Sequence, residues 1–179
     1  MKILAFAASS SSKSINKQLV SHAADVLKTS IIKDAEVEIL DINDYEMPIY
    51  SSDREEEGGI PDLAHQFAAK IGTADALLIS YAEHNGNYTA AYKNLFDWTS
   101  RIDVKVFQGK PMVILATSPG AGGAASVLGL AKTSAPFFGA DVKADLSIAS
   151  FYDVFDSENG HLKEPDIQAQ LHAALTTLK

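Results

Sequence analysis

Runs of apolar residues of strand length alternate with longer amphipathic stretches along nearly the whole chain, and few architectures accommodate that rhythm. Ile3–Ala8, Asp75–Ser80 with its core Ala76–Leu77–Leu78–Ile79, and Pro111–Thr117 read as buried strands. Glu36–Ile42 alternates, with Val37 and Ile39 on one side, as an edge strand does, and Val142–Ala149 supplies a fifth strand. Ser14–Thr29 reads as a helix, because Ile15, Leu19, Val20, Ala23, Ala24 and Leu27 recur on one face. Pro61–Ile71 is a second helix, with Pro61 in the first turn, where a missing N–H costs nothing. Thr89–Arg101, Gly122–Phe138 and Pro165–Leu178 complete the helices, while Asp44–Gly59, with Pro48, Glu55–Glu57 and Gly58–Gly59, reads as a solvated loop. The order is βαβαβαβαβα. Helical crossovers between successive short strands are right-handed and require a parallel sheet covered on both faces. Five strands in this pattern fit the doubly wound order 2-1-3-4-5 in one domain spanning residues 1–179, and no repeat or linker interrupts it.

Composition removes several classes of function. The formal net charge is −8 and no Lys/Arg cluster stands out, so neither nucleic acid nor an anionic membrane surface is an expected partner. The chain has no cysteine, which excludes disulfides, thiolate nucleophiles and Cys-ligated metals; redox chemistry would need a bound organic cofactor. The opening apolar run is too short for a secretion signal, and no run reaches the ~18 residues of a membrane span. A cytoplasmic location is expected.

In a 2-1-3-4-5 sheet the ligand crevice opens beyond the carboxyl ends of the strands, where the order reverses between strands one and three. Three loops bear on it. The first, Ser9–Ser10–Ser11–Ser12–Lys13–Ser14–Ile15–Asn16, enters a helix whose free N–H groups and positive dipole end suit a phosphate. Four charge-assisted hydrogen bonds at roughly 1.5–3 kcal/mol each bracket the ~8 kcal/mol of micromolar affinity. The plainer reading is a serine-rich loop in which Ser14 caps the helix. This turn lacks both the G-x-G-x-x-G of a dinucleotide site and a P-loop, which favours a mononucleotide held by its terminal phosphate. The second loop, Tyr81–Tyr88 with Ala82, Glu83, His84, Asn85, Gly86 and Asn87, follows a buried strand yet carries groups able to read the rim of a planar ring such as a flavin. His84 read alone is a surface histidine, and Tyr88, Tyr92 and Trp98 are core or interface residues. The third loop, Thr117–Gly123, places Ser118, Gly120, Gly122 and Gly123 at a strand-to-helix junction, where glycines allow close backbone approach or simply a tight turn.

Together these segments resemble the NADPH-dependent FMN reductase family, the flavodoxin-like group that includes quinone, azo-dye and chromate reductases. The family pattern in the second segment is roughly Pro-Glu-Tyr-Asn-Gly-Ser, then Lys-Asn-x-x-Asp-Trp; Glu83, Asn85, Gly86, Lys93, Asn94, Asp97 and Trp98 fall in register. The first segment is similar to Gly-Ser-x-Arg-x-x-Ser-x-Asn through Ser9, Ser14 and Asn16, and the third to Ser/Thr-x-Gly-x-x-Gly-Gly through Ser118, Gly120, Gly122 and Gly123. Ala8 stands for the family glycine, Ser11 for an arginine that would meet phosphate (Lys13 is a substitute), Ala82 for a proline and His84 for a tyrosine. The resemblance implies FMN as cofactor, NADPH or NADH as co-substrate and a small-molecule electron acceptor. It implies a cofactor site built from Ser9, Ser11, Lys13, Ser14, Asn16, Ala82, Glu83, His84, Asn85, Gly86, Ser118, Gly120, Gly122 and Gly123, with no obligatory catalytic side chain and no metal. It also implies a homodimer or homotetramer, with the helix holding Tyr92, Phe96 and Trp98 as a candidate boundary. The alternatives are a non-enzymatic electron carrier and an FMN-binding module. A hydrolase has little support, with no G-x-S-x-G or H-E-x-x-H in the chain.

Overall fold

The apolar runs become strands buried on both sides. In the computed structural model, which describes all 179 residues, β1 (Lys2–Ala8) leads through a serine loop into α1 (Ile15–Val26) and then to β2 (Glu36–Leu40). Next come α2 (Ser52–Gly58), α3 (Asp62–Thr73), β3 (Ala76–Tyr81), α4 (Ala90–Ser100), β4 (Pro111–Thr117), α5 (Ala125–Ser134) and β5 (Asp141–Ile148). The chain closes with the short α6 (Phe151–Val154), a hairpin of β6 (Phe155–Asp156) and β7 (His161–Leu162), and α7 (Pro165–Thr176). Strands β1 to β5 form one parallel sheet in the order β2-β1-β3-β4-β5. This is the flavodoxin-like arrangement expected from the sequence, with its order reversing between β1 and β3.

Alternate residues of each central strand serve opposite faces. Leu4, Phe6, Leu77 and Ile79 join an aromatic-rich core with Phe67 of α3, Tyr92 and Trp98 of α4, and Val127 and Ala131 of α5. Ile3, Ala5, Leu78 and Val113 join a mainly aliphatic core with Leu19 and Ala23 of α1 and Leu171 and Leu175 of α7. The edge strand β5 alternates exposed Asp141, Lys143 and Asp145 with half-buried Val142, Ala144 and Leu146.

Three expectations are corrected. The helix expected over Ser14–Thr29 is α-helical only to Val26, and Leu27–Ile31 continues as a π-helical turn. The segment expected as a loop, Asp44–Gly59, holds part of a 3₁₀ turn (Ile42–Tyr45) and all of α2. That helix buries none of its residues, so no apolar stripe announces it. It is held by the Ser51 hydroxyl, which accepts from Arg54 N–H, and by the Glu55–Arg101 ion pair at 2.9 Å. The helix expected from Gly122 begins instead at Ala125, because Gly123 and Ala124 turn left-handed with φ of 59° and 58°. The elements α6, β6 and β7 have no counterpart in the sequence reading.

Candidate functional site

The loop leaving β1 carries more hydrogen-bond donors than the protein uses. Ser9 Oγ accepts from Ser11 N–H, Ser11 Oγ from Lys13 N–H, and Ser14 Oγ caps α1 by accepting from Lys17 N–H. Each hydroxyl thus has one bond accepted and its own proton free to donate. The amides of Ser10, Ser12, Ile15 and Asn16 meet no acceptor within the protein. The first turn of α1 contains no acidic residue, and the exposed Lys13 adds a cation. Donors without acceptors, at the positive end of a helix, fit an anion such as a terminal phosphate.

Asn16 behaves differently. Its side chain is buried beneath the loop: Nδ2 donates to Thr117 O at 3.1 Å, and Oδ1 accepts from Thr117 N–H at 3.1 Å and from Ser80 Oγ at 2.8 Å. Thr117 Oγ1 in turn donates to Ile148 O at 2.7 Å. The side chain of Asn16 therefore fastens α1 to the ends of β3 and β4 rather than facing a ligand; only its backbone amide stays free.

The second loop is a two-residue hairpin. His84 and Asn87 exchange backbone hydrogen bonds at 3.0 and 3.1 Å, and the central residues Asn85 and Gly86 have φ of 53° and 76°. Positive φ at both positions is the type I′ signature, for which Asn-Gly is the preferred dipeptide. Asn85 and Gly86 are thus presented at an exposed tip. Glu83 points the other way: its Oε2 accepts from Val127 N–H at 2.9 Å, capping an α5 whose own Ala124 offers no side-chain cap. Below the hairpin, Tyr81, Tyr88 and Tyr92 pack ring against ring at 5.2–5.5 Å. Burial raises all three phenols above their ordinary range, so they stay neutral. Tyr92 and Trp98 are buried in the core, the first of the two places read for them, and half-buried Phe96 lies on the α4–α5 side.

In the third loop, Gly123 has a packing role. A Cβ there would collide with Ser147 Oγ and meet Ala149 N at 3.1 Å, whereas one at Gly120 or Gly122 would meet nothing within 4 Å. Gly120 O accepts from Ser150 N–H at 3.0 Å, tying this loop to the corner after β5.

The loops enclose a cleft of about 240 Å³ lined by Ser9, Ser11, Lys13, Ser14, Ile15, Asn16, Ala82, Glu83, His84, Thr117, Ser118, Pro119 and Tyr152. Asn85, Gly86, Gly120, Gly122 and Gly123 do not line it. Ile15, Thr117 and Pro119 were within reach of the sequence reading, since they flank residues it selected. Tyr152 was not, because it arrives from beyond β5. A larger cavity of about 420 Å³ between Ile42–Ile49 and α4 shares only Ser10 with the serine loop. A third, of about 380 Å³, lies between α4 and α5 and is walled by Tyr88, Phe96, Phe107, Leu130 and Phe138.

Comparison with known proteins gives three findings. A family model described as NADPH-dependent FMN reductase matches residues 1–152. An NAD(P)H-dependent FMN reductase of Pseudomonas aeruginosa is 30% identical over 97% of this chain and 92% of its own length, and a probable NADPH:quinone oxidoreductase of rice is 25% identical over 100% and 87%. Among solved structures, the flavoenzyme NAD(P)H:(acceptor) oxidoreductase FerB of Paracoccus denitrificans superposes with a TM-score of 0.76 at 21% identity, covering 99% of this chain and 94% of that one. An FMN-dependent NADH-azoreductase of Bacillus anthracis, in complex with FMN, does so with 0.68 at 14%, covering 99% and 98%.

Proposed function

The chain belongs to the NADPH-dependent FMN reductase family, and from that premise we propose that the cleft over β1, β3 and β4 is where it holds FMN. Its activity is that of the family: an FMN-dependent oxidoreductase that carries reducing equivalents from NAD(P)H to an acceptor. The observation that carries the site assignment is the serine loop, where three hydroxyls and four amides keep unused protons at the N-terminus of α1. When bound, FMN supplies the redox chemistry, receiving hydride from the nicotinamide and releasing electrons to the acceptor.

The protein's part is to bind and orient. Ser9, Ser11, Ser14 and Lys13 would donate to the phosphate together with the free amides of Ile15 and Asn16. Ala82, Glu83 and His84 on one side, and Ser118 and Pro119 on the other, would wall the rest of the cofactor, with Asn85 and Gly86 at the hairpin tip just beyond the cleft. Asn16 and Glu83 act indirectly, holding the three loops in register through their own hydrogen bonds. The cleft is smaller than the ~300–1,000 Å³ typical of a pocket enclosing a whole ligand. FMN held by these residues would be reachable from the open side of the cleft by a nicotinamide and by a small acceptor such as a quinone or free flavin.

The reading extends to a homodimer with its boundary on the α4–α5 groove. The aromatic walls of that groove and the nearby Phe137, 67% exposed, support it. Light scattering on Phe137→Glu should report monomers, and an unchanged mass would remove this part.

The site is tested by the visible spectrum of the purified protein, fluorescence titration with FMN, and bleaching by each nicotinamide. Ser9→Ala with Ser14→Ala should weaken FMN ~30–100-fold, the loss of about 2–3 kcal/mol of hydrogen bonding. Wild-type affinity in that double variant would refute the assignment.

A further inference from the structure

The corner after β5 carries an aromatic ring, Tyr152, that packs edge-on against Phe151 at 5.7 Å and otherwise faces outward. Tyr152 is 63% exposed, and its hydroxyl has no partner in the protein. Yet its position is fixed. Phe151 just before it is fully buried and stacks on Phe155 with centroids 4.6 Å apart. Phe151 N–H donates to Ser118 O at 3.1 Å, and Ser150 N–H to Gly120 O at 3.0 Å. Ser150 itself is held left-handed at φ 51°, a conformation unfavourable for a residue with a Cβ and maintained only where the surroundings impose it. The outcome of this strained, doubly tied corner is that Tyr152 lines the cleft together with Lys13, Ser118 and Pro119.

We propose that Tyr152 is a positioning residue for the flavin, its ring covering the ribityl-phosphate arm on the open side of the cleft and its phenol donating to the phosphate. This inference rests on the FMN site assigned above. Three observations favour the phosphate arm. Tyr152 shares the cleft rim with Lys13. Its hydroxyl is one more donor in a wall already made of unused donors. The two residues before it are tied to the Ser118–Gly120 loop by hydrogen bonds, so ring and loop hold a fixed relation at the cleft. An exposed phenol over the arm also excludes water from the charged contacts, which strengthens them.

The test uses the full-length protein with FMN and with riboflavin, which lacks the phosphate. Fluorescence titration and stopped-flow release are measured for Tyr152→Ala and Tyr152→Phe, alongside urea unfolding of the flavin-free protein. Tyr152→Ala should weaken FMN about tenfold, chiefly through faster release, and riboflavin threefold or less. Tyr152→Phe should recover the part of the loss due to covering the arm but not the part due to the phenol proton. The unfolding midpoint should move only slightly, since the ring is mostly exposed and its one aromatic contact is edge-on with Phe151. Wild-type FMN affinity in Tyr152→Ala overturns the proposal, and so does an equal loss for FMN and riboflavin, which would place the contact away from the phosphate. If the wild-type protein binds riboflavin and FMN equally well, the phosphate cradle itself is wrong and this inference falls with it.

Discussion

Two sets of polar groups meet at the start of α1 and differ in what completes them. In the buried knot of Asn16, Ser80 and Thr117, the side-chain groups find partners inside the protein. A few residues away, the serine loop is left with protons that nothing in the chain accepts. The residue types overlap; the difference is how completely each is covered: Asn16, Ser80 and Thr117 keep 2% or less of their surface, whereas Ser11 is exposed and Ser9 and Ser14 keep 8% where the cleft opens. A buried donor without an acceptor costs about 1–3 kcal/mol, so the knot has to be closed by the fold. A donor that borders the cleft keeps water until an anion arrives, so the loop can stay open for a ligand. Polar residues around a crevice therefore divide by the partners left over, and not by residue type.

Breaking the knot gives the largest expected effect. Asn16→Ala leaves the Ser80 hydroxyl and both the N–H and C=O of Thr117 without their partner. At about 1–3 kcal/mol for each of the three orphaned groups, the loss is roughly 3–9 kcal/mol, or on the order of 10–20 °C in Tm for a chain of this size. Ser11→Ala, on the exposed loop, should leave the flavin-free protein within about 0.5 kcal/mol of wild type while weakening FMN. Equal losses of stability from the two substitutions would abolish the distinction.

The third loop offers a second contrast between neighbouring residues. Gly123→Ala sets a Cβ 3.1 Å from the Ala149 amide at φ +59°. Left-handed strain and displaced backbone together should cost about 2–3 kcal/mol. Gly122→Ala, with open space around it, should be nearly neutral. Urea midpoints for the pair measure this directly, and a tolerant Gly123 would mean that the loop is freer than its contacts with β5 indicate.

These contrasts mark what was legible in the sequence. The sheet was, because Ala76–Ile79 and Pro111–Thr117 are apolar on both faces and central parallel strands need that. Helix α2 was not, since its stability comes from a serine cap and an ion pair to Arg101, 46 residues away. The three loops could be chosen from topology alone, but not the direction of each side chain. Asn16 turns inward to Thr117 and Glu83 turns sideways to Val127, both across long sequence separations. Tyr152 was out of reach because β5 is an edge strand two places from the switch point, and its ring arrives only through the left-handed Ser150.

Ser14 belongs to both sets, since it caps α1 and also faces the cleft, so Ser14→Asp should separate its two roles. Aspartate caps a helix about as well as serine, and a negative charge is favourable at that end. The flavin-free protein should therefore keep its stability or gain a few tenths of a kcal/mol. FMN should bind ~10–100-fold more weakly, as one donated bond is replaced by repulsion. Undiminished FMN binding by the aspartate variant would show that the phosphate lies elsewhere.

The smallest effect lies on the outer face of the same helix. His22 is half-buried against the edge of Phe155, with ring centroids 5.9 Å apart. Burial first and the nearby His161 second lower its proton affinity below the ordinary 6.5, while Asp25 partly opposes them. Below that value the unfolded chain takes up a proton that the folded chain still refuses, so folding loses stability as pH falls through the interval beneath 6.5. Asp41 shifts in the carboxylate range: its hydrogen bond from Lys17 lowers it below 3.8, so its contribution fades only in stronger acid. Urea midpoints taken from about pH 7 to about pH 5.5 should therefore fall more steeply for the wild type than for His22→Gln. Parallel slopes would show that this imidazole remains as well solvated in the fold as in the open chain, and that burial on α1 is decisive only at its cleft end.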